Sequence, residues 1–472
     1  MNLKKYIGDR AFYKSLLALM LPILIQNGIT NFISLLDNVM VGQVGTEQMS
    51  GVSIVNQLLF VFYLCIFGAI SGAGLFSAQF FGKGDHKGVR YTFRFKLYST
   101  FALCTLALVV FLSIGDDLIR LYLHEGGETG NIELTMRYAK EYLAISLLGL
   151  FPYTITQVYA GTLREIGHTL PPMKAGILGV LVNLSLNYVL IFGHLGAPAL
   201  GVEGAAIATV IARVVECLAV ILWTHTHPQK CEFIRGVYHS LYLPTELAKK
   251  ILITGTPLLL NETVWAAGQA MLLQCYSVRG VAVVSAMNIT NTLFNTFSVL
   301  FMAVGSAVAI LLGHQLGAGN RQVARESAVK MIAFSFGMGV ITAILVAVCA
   351  PFFPRIYNTT DEVRQIAVRL TLIAALSAPL HAYLHSTYFT IRSGGKTGIT
   401  FLFDSGYVWA VSVVLAFTLS RFTALPATTV YLVVQAADIL KAILGTLLVA
   451  GGSWANDITK TKEAETEPKP LP

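Results

Sequence analysis

Few residues in this chain carry charge or strong polarity where chemistry could use them. Asp37 follows an uncharged run from Ser15 to Leu36. Asn183 and Asn187 stand one helical turn apart in a later apolar stretch, and Thr209 opens the stretch after that. One anionic oxygen with neutral oxygens beside it meets the needs of a small hard cation or of a carboxyl proton. Glu262 lies five residues after Pro257 with no positive residue within a turn of it in sequence, and Asn261, Trp265 and Gln269 recur at helical spacing around it. Such a carboxyl suits a proton carrier or a counter-charge for a cationic ligand. His381 and His385 are also one turn apart; without a nearby third ligand they fit a cavity wall or proton relay better than a metal site. The plainer alternatives are that Asp37 caps a helix at headgroup level, that the asparagines bond neighbouring helices together, and that a neutral Glu262 is satisfied by a partner helix.

The elements that must position these residues follow from composition. Of 472 residues, 12% are charged and 55% apolar, and the mean hydropathy is +0.67. An ordinary soluble domain carries about twice that charge, so the chain reads as an integral membrane protein. That excludes a cytosolic enzyme, a secreted disulfide scaffold and a nucleic-acid reader. It also assigns the net charge of +8 to membrane topology and not to a polyanionic partner. The six cysteines are scattered singly and show no zinc or redox spacing. A bilayer span needs about 20 mostly apolar residues. Twelve such segments are expected, at 15–41, 52–80, 95–115, 138–161, 170–192, 203–224, 247–276, 281–313, 327–350, 364–391, 397–419 and 427–450. Lys and Arg concentrate in the tails and in the loops on their side, which puts both termini in the cytoplasm.

The chain repeats itself. A shift of 235 residues aligns Pro22 with Pro257, Gly45 with Gly280, Gly82 with Gly317 and Gly84 with Gly319; a shift of 228 aligns Arg164 with Arg392, Gly167 with Gly395, Thr169 with Thr397 and Arg213 with Lys441. The expected architecture is all-α: two six-helix lobes related by a pseudo-two-fold axis along the membrane normal, a plan used by transporters with a central site. The lobes would be residues 1–225 and 247–455, joined by a cytoplasmic linker, 226–246, and followed by a disordered cytoplasmic tail, 456–472. Arg213 with Glu216, and Lys441 with Asp438, read as self-compensating i,i+3 pairs, and Asp404 as a partner at the inner mouth for Arg392 and Lys396. FFGKGD (Phe80 to Asp85) and QLGAGN (Gln315 to Asn320) lack the Lys-Ser/Thr ending of a phosphate loop and read as tight turns. Nothing points to ATP, so uphill transport would draw on an ion gradient.

Taken in order along the chain, these residues resemble the multidrug and toxic compound extrusion (MATE) transporters, in their NorM-like branch. The resemblance rests on Pro22 and Asp37, the two glycine turns, LREIGHT (Leu163 to Thr169) leading to Asn183 and Asn187, GVEGAAIAT (Gly201 to Thr209), and PLLLNETVW (Pro257 to Trp265). It implies a V-shaped pair of lobes in the cell's inner membrane and an antiporter, not an enzyme, that exports amphipathic, often cationic compounds against entering H⁺ or Na⁺. It implies no cofactor and no nucleic-acid partner, and a monomer is expected. It also implies an ion site at Asp37, Asn183, Asn187 and Thr209, which would be metal ligands under sodium coupling, with Glu262 contributing in the second lobe. Candidate substrate contacts are Gln26, Asn27, Asn261, Glu262, Trp265, Gln269, His381 and His385. One departure stands out: no Asp or Glu occurs between Glu362 and Asp404, and His381 stands where the branch often has a carboxylate. This favours the proton as coupling ion. The competing readings are a lipid-linked oligosaccharide flippase, which would line its cavity with Arg and Lys, and an intramembrane enzyme or a channel.

Overall fold

The structure is a computed structural model that describes residues 6–123 and 131–460. Its described residues form helices and turns, with no strand. The twelve long helical segments are α1 (Arg10–Gly42), α2 (Thr46–Gly82), α3 (His86–Arg120), α4 (Ile132–Glu165), α5 (Leu170–Phe192), α6 (Gly201–Thr226), α7 (Thr245–Ser277), α8 (Val281–Gly317), α9 (Arg321–Cys349), α10 (Asp361–Ser393), α11 (Thr397–Phe422) and α12 (Ala427–Gly451). Each answers to one expected span. Eleven of these are long and apolar enough to cross a bilayer; α7 is of comparable length, but Asn261, Glu262 and Gln269 dilute the apolar character of its central stretch.

Two segments depart from regular α geometry. A 3₁₀ turn, Leu147–Gly149, interrupts α4, and α11 runs through two π-helical stretches, Leu402–Gly406 and Val408–Val413. The wider π turn re-aims side chains relative to a regular helix and is often found at functional sites.

The chain forms two compact units. The first comprises Ile25–Gly74 and Arg90–Lys249; the second comprises the described residues up to Leu24, Leu75–Val89, and those from Lys250 onward. In the first unit, α5 and α6 pack extensively, and small residues make that possible. A Cβ on Gly204 would lie 2.6 Å from the Leu190 carbonyl oxygen, and one on Gly179 3.2 Å from that of Ala212. Close backbone approach through small residues is the usual basis of helix association in lipid, where no hydrophobic drive separates helix from solvent. In the second unit, Leu16 and Met20 of α1 share a core with Val304, Ala307 and Val308 of α8, Met331 of α9, and Trp454. A further core joins Cys275, Met287, Ala374 and Tyr431 from α7, α8, α10 and α12.

The repeated turns have the same local form. Gly84 and Gly319 have φ of 78° and 81°, a left-handed conformation that glycine adopts without Cβ strain. Each is followed by a residue whose N–H reaches back to close the helix end, Asp85 to Phe80 at 2.9 Å and Asn320 to Gln315 at 3.0 Å.

Lys96 is fully buried inside α3, where it pairs with Glu165 and donates to the Thr162 hydroxyl at 3.0 Å. The segment between α6 and α7 docks onto α3. Arg94 donates to the carbonyls of Val237 at 2.8 Å, Tyr242 at 2.8 Å and Gly236 at 3.1 Å; Arg90 donates to that of Phe233 at 3.0 Å, and the Tyr98 hydroxyl to that of Leu241 at 2.9 Å. Of the segment expected as a tail, residues 461–472 lie outside the described residues. Residues 456–460 are held by the buried Gln79, which donates to the Asn456 carbonyl at 3.0 Å and accepts from the Ile458 N–H at 2.8 Å.

Candidate functional site

In the first unit, α1, α5 and α6 bring Asp37, Asn183, Asn187 and Thr209 together. Asn187 donates through Nδ2 to Asp37 Oδ1 at 2.7 Å. With its amide nitrogen toward the carboxylate, Asn183 lies 2.9 and 3.1 Å from the two Asp37 oxygens and accepts from the Thr209 hydroxyl at 3.3 Å. Asn183 and Asn187 are 7% and 2% exposed, so both amides are withdrawn from solvent. The Oδ1 of Asn187 has no hydrogen-bond partner among the described residues. A buried acceptor left unmade is costly, and here it belongs to the same amide that bonds a carboxylate with which no Lys or Arg of the described residues pairs. The cluster offers negative charge and spare oxygen but no fixed cation.

Close by in the same unit, Arg213 places its guanidinium 4.4 Å from the Tyr153 ring centroid and 5.2 Å from that of Tyr63. Glu216 lies near both Arg213 and Arg164 without an ion-pair contact, so the expected i,i+3 pair does not form as such. Arg164 instead donates to Gln26 Oε1 at 2.8 Å. Gln26, expected to contact substrate, is thereby engaged by a half-buried arginine; its neighbour Asn27 is half-buried as well.

In the second unit, Asn261 is the centre of a polar knot. Its Nδ2 donates to Asp404 Oδ2 at 3.0 Å and to the Tyr388 hydroxyl at 3.3 Å, and its Oδ1 accepts from the Ser405 hydroxyl at 2.7 Å. The other Asp404 oxygen, Oδ1, takes the Lys441 ammonium at 2.9 Å. Lys441 therefore pairs across helices with Asp404 and not with Asp438. Asp404 lies in the π turn Leu402–Gly406 and reaches Asn261 of α7 and Lys441 of α12. Glu262 faces Arg392, Asp404 and Tyr388, so it is not the isolated carboxyl its sequence neighbours implied. Arg392 is buried and lies 5.2 Å from the Phe389 ring centroid.

The remaining candidates disperse. Trp265 and Gln269 are exposed while Asn261 is buried. His381 lies 3.1 Å from Gln435 Oε1 and 3.5 Å from Asp438 Oδ2, on the α12 side. His385 turns to α8, between the rings of Phe301 and Phe389. The two histidines do not form one site, and no group of three metal-ligating His, Cys, Asp or Glu side chains occurs among the described residues. Asp404 with Lys441, and Lys96 with Glu165, are the pairings that sequence reasoning missed. The signal available for the first was the recurrence of a basic residue at positions 213 and 441.

Twelve spans, two repeated halves and an ionisable cluster in each unit define a polytopic helical membrane protein of the transporter type. The MatE family model matches residues 22–189 and 258–420. The chain belongs to that family and is a MATE transporter of the NorM-like type. Among its relatives is a protein named probable multidrug resistance protein NorM, from Thermotoga maritima, 26% identical over 466 residues and covering 96% of each chain. The fold matches the crystal structure of MATE in complex with MaD3S with a TM-score of 0.83 at 18% identity, over 95% of this chain and 98% of that one. It likewise matches the outward-facing conformation of a multidrug resistance MATE family transporter of the MOP superfamily, with a TM-score of 0.82 at 19% identity, over 95% and 97% of the two chains.

Proposed function

We propose that this protein is a secondary antiporter that exports amphipathic, often cationic drugs or metabolites in exchange for protons. The observation that carries the reading is the Asp37 cluster. A half-buried carboxylate between helices, bonded by two amides, given no basic partner among the described residues and adjoined by the unpartnered Asn187 Oδ1, lacks only a mobile positive charge. Placing a bare charge in hydrocarbon costs about 2.5–3.5 kcal/mol on insertion scales, so arrival and departure of that cation would differ in energy between the states of the transporter. Such a difference is what couples one flux to another.

Support for the proton over sodium comes from the second unit. There the carboxylates Asp404 and Glu262 are accompanied by Lys441 and Arg392. Resident cations beside the carboxylates repel a sodium ion, which also needs several oxygens converging at once. The first unit has oxygens enough for either ion. In this reading the protein sits in the cell's inner membrane with both termini in the cytoplasm, works as a monomer, binds neither ATP nor nucleic acid and catalyses no covalent reaction. Inside-out vesicles containing the protein are expected to accumulate a fluorescent organic cation under an imposed pH gradient with no sodium present. Accumulation that requires a sodium gradient, and that survives collapse of the pH gradient, would overturn the assignment of the ion.

A further inference from the structure

Lys441 is held in a setting usually built for a ligand. Its ammonium lies 2.9 Å from Asp404 Oδ1, 5.3 Å from the Phe403 ring centroid and 5.8 Å from that of Tyr407. A carboxylate with two aromatic faces is the composition of sites that recognise organic ammonium groups. The frame is held by contacts that do not involve the lysine side chain. The other Asp404 oxygen is fixed by Asn261, the Tyr407 hydroxyl donates to the Ala437 carbonyl at 2.5 Å, and the π turn Leu402–Gly406 presents Phe403 and Asp404 together. The occupant, by contrast, enters on a flexible four-carbon stem. The first half has no equivalent: with the same 228-residue shift, Phe403, Asp404 and Tyr407 fall on Ala175, Gly176 and Gly179.

We propose that Asp404, Phe403 and Tyr407 form a binding site for an organic ammonium group, and that the Lys441 side chain is its built-in occupant, which a substrate amine replaces. The role in export rests on the reading above; the ammonium site itself does not.

The test removes the occupant and supplies it from solution. Full-length Lys441→Ala, purified in lipid nanodiscs, is expected to melt at a lower temperature than the native protein and to regain stability with n-butylammonium in a saturable manner, whereas n-butanol, of the same shape and uncharged, has no such effect. Lys441→Ala/Asp404→Asn, which lacks both charges, is expected to show no response to either compound. If Lys441→Ala alone fails to accumulate, n-butylammonium present during expression and extraction is expected to recover it and n-butanol is not. Equal effects of the two compounds, no effect of either, or rescue that persists in the double variant would each overturn the proposal. Lys441→Met is further expected to bind radiolabelled tetraethylammonium at least about ten-fold more tightly than the native chain, and an unchanged affinity would count against the site. Specific rescue in a protein that exports no cation from vesicles would leave the site standing and remove the export reading; cation export with no specific rescue would do the reverse.

Discussion

Asp37 in the first unit and Asp404 in the second are both carboxylates drawn into a helix bundle and steadied by asparagine, yet they are neutralised differently. Asp37 is met by the amides of Asn183 and Asn187, and the amide oxygen of Asn187 is left over. Asp404 is met by Asn261 and by a lysine ammonium resting on two aromatic rings. The repeat supplies a cation to both halves, Arg213 and Lys441, but the first half spends its own on Tyr63 and Tyr153 and leaves its carboxylate bare. Duplicated frameworks can thus hold one site that awaits a charge and one that already contains it. The lesson is that a buried carboxylate is read by its partner set, not by its depth.

The largest expected effect tests the bare site. Asp37→Asn keeps size and hydrogen bonding but cannot alternate between a charged and a neutralised form, so it is expected to abolish drug resistance in cells while the protein still reaches the membrane. Normal efflux by a well-expressed variant would remove Asp37 from the mechanism. Its thermal stability is expected to change little, because amide partners accept an amide.

The filled site should behave in the opposite way. Removing one member of a buried pair strands the other, at a cost of about 3–5 kcal/mol, whereas removing both charges is often close to neutral. Lys441→Ala is therefore expected to lower the melting temperature sharply, and Lys441→Ala/Asp404→Asn to recover most of that loss. Scanning calorimetry or a dye-based melt in detergent gives the readout. If the double variant is as unstable as the single one, Asp404 does not hold its charge against Lys441.

A smaller and more selective effect is expected at Glu262, which faces both Asp404 and Arg392. Because its charge is partly offset by the arginine, Glu262→Gln should weaken export of cations several-fold while sparing neutral compounds, measured as resistance to matched cationic and neutral drugs. An equal loss for both classes would make Glu262 a coupling residue and not a recognition residue.

How much of this was legible in the sequence follows the same divide. The first-unit constellation was readable because α1, α5 and α6 are regular helices there, so that spacing of one turn translates into one face and the four side chains meet. The second-unit site was not, because its pairings run between helices: spacing along α12 puts Lys441 near Asp438, and nearness in sequence puts Asp404 beside Arg392 and Lys396, whereas the fold brings Asp404 to Asn261 of α7 and Lys441 of α12. The pairing of Lys96 with Glu165 was not legible for a related reason: the two lie far apart along the chain, and spacing within one helix says nothing of a contact between two. The spans themselves are legible because apolar length, and not pairing, defines them; among the described residues eleven of the twelve helices meet that measure and α7 falls short of it.

The smallest expected effect concerns the places where the halves agree. Gly84 and Gly319 close equivalent turns with φ of 78° and 81°, and a Cβ added at either would meet no heavy atom within 4 Å. Alanine therefore clashes with nothing at these positions, and its whole penalty is the left-handed backbone, about 1–2 kcal/mol for a non-glycine residue. Gly84→Ala and Gly319→Ala should lower the melting temperature by the same modest amount, leave export intact, and add when combined, since local backbone strain at separate turns has no shared partner through which to couple. A marked inequality between the two would mean that one turn bears a load the other does not, most directly through its neighbours: Asp85, whose carboxylate accepts the Gly88 N–H at 2.8 Å, has only an uncharged counterpart in Asn320. Asp85→Asn would then be the deciding variant. If the inequality is due to that cap, Asp85→Asn brings the Gly84 turn to the behaviour of the Gly319 turn; if the inequality persists, the turns differ for a reason outside their own hydrogen bonds.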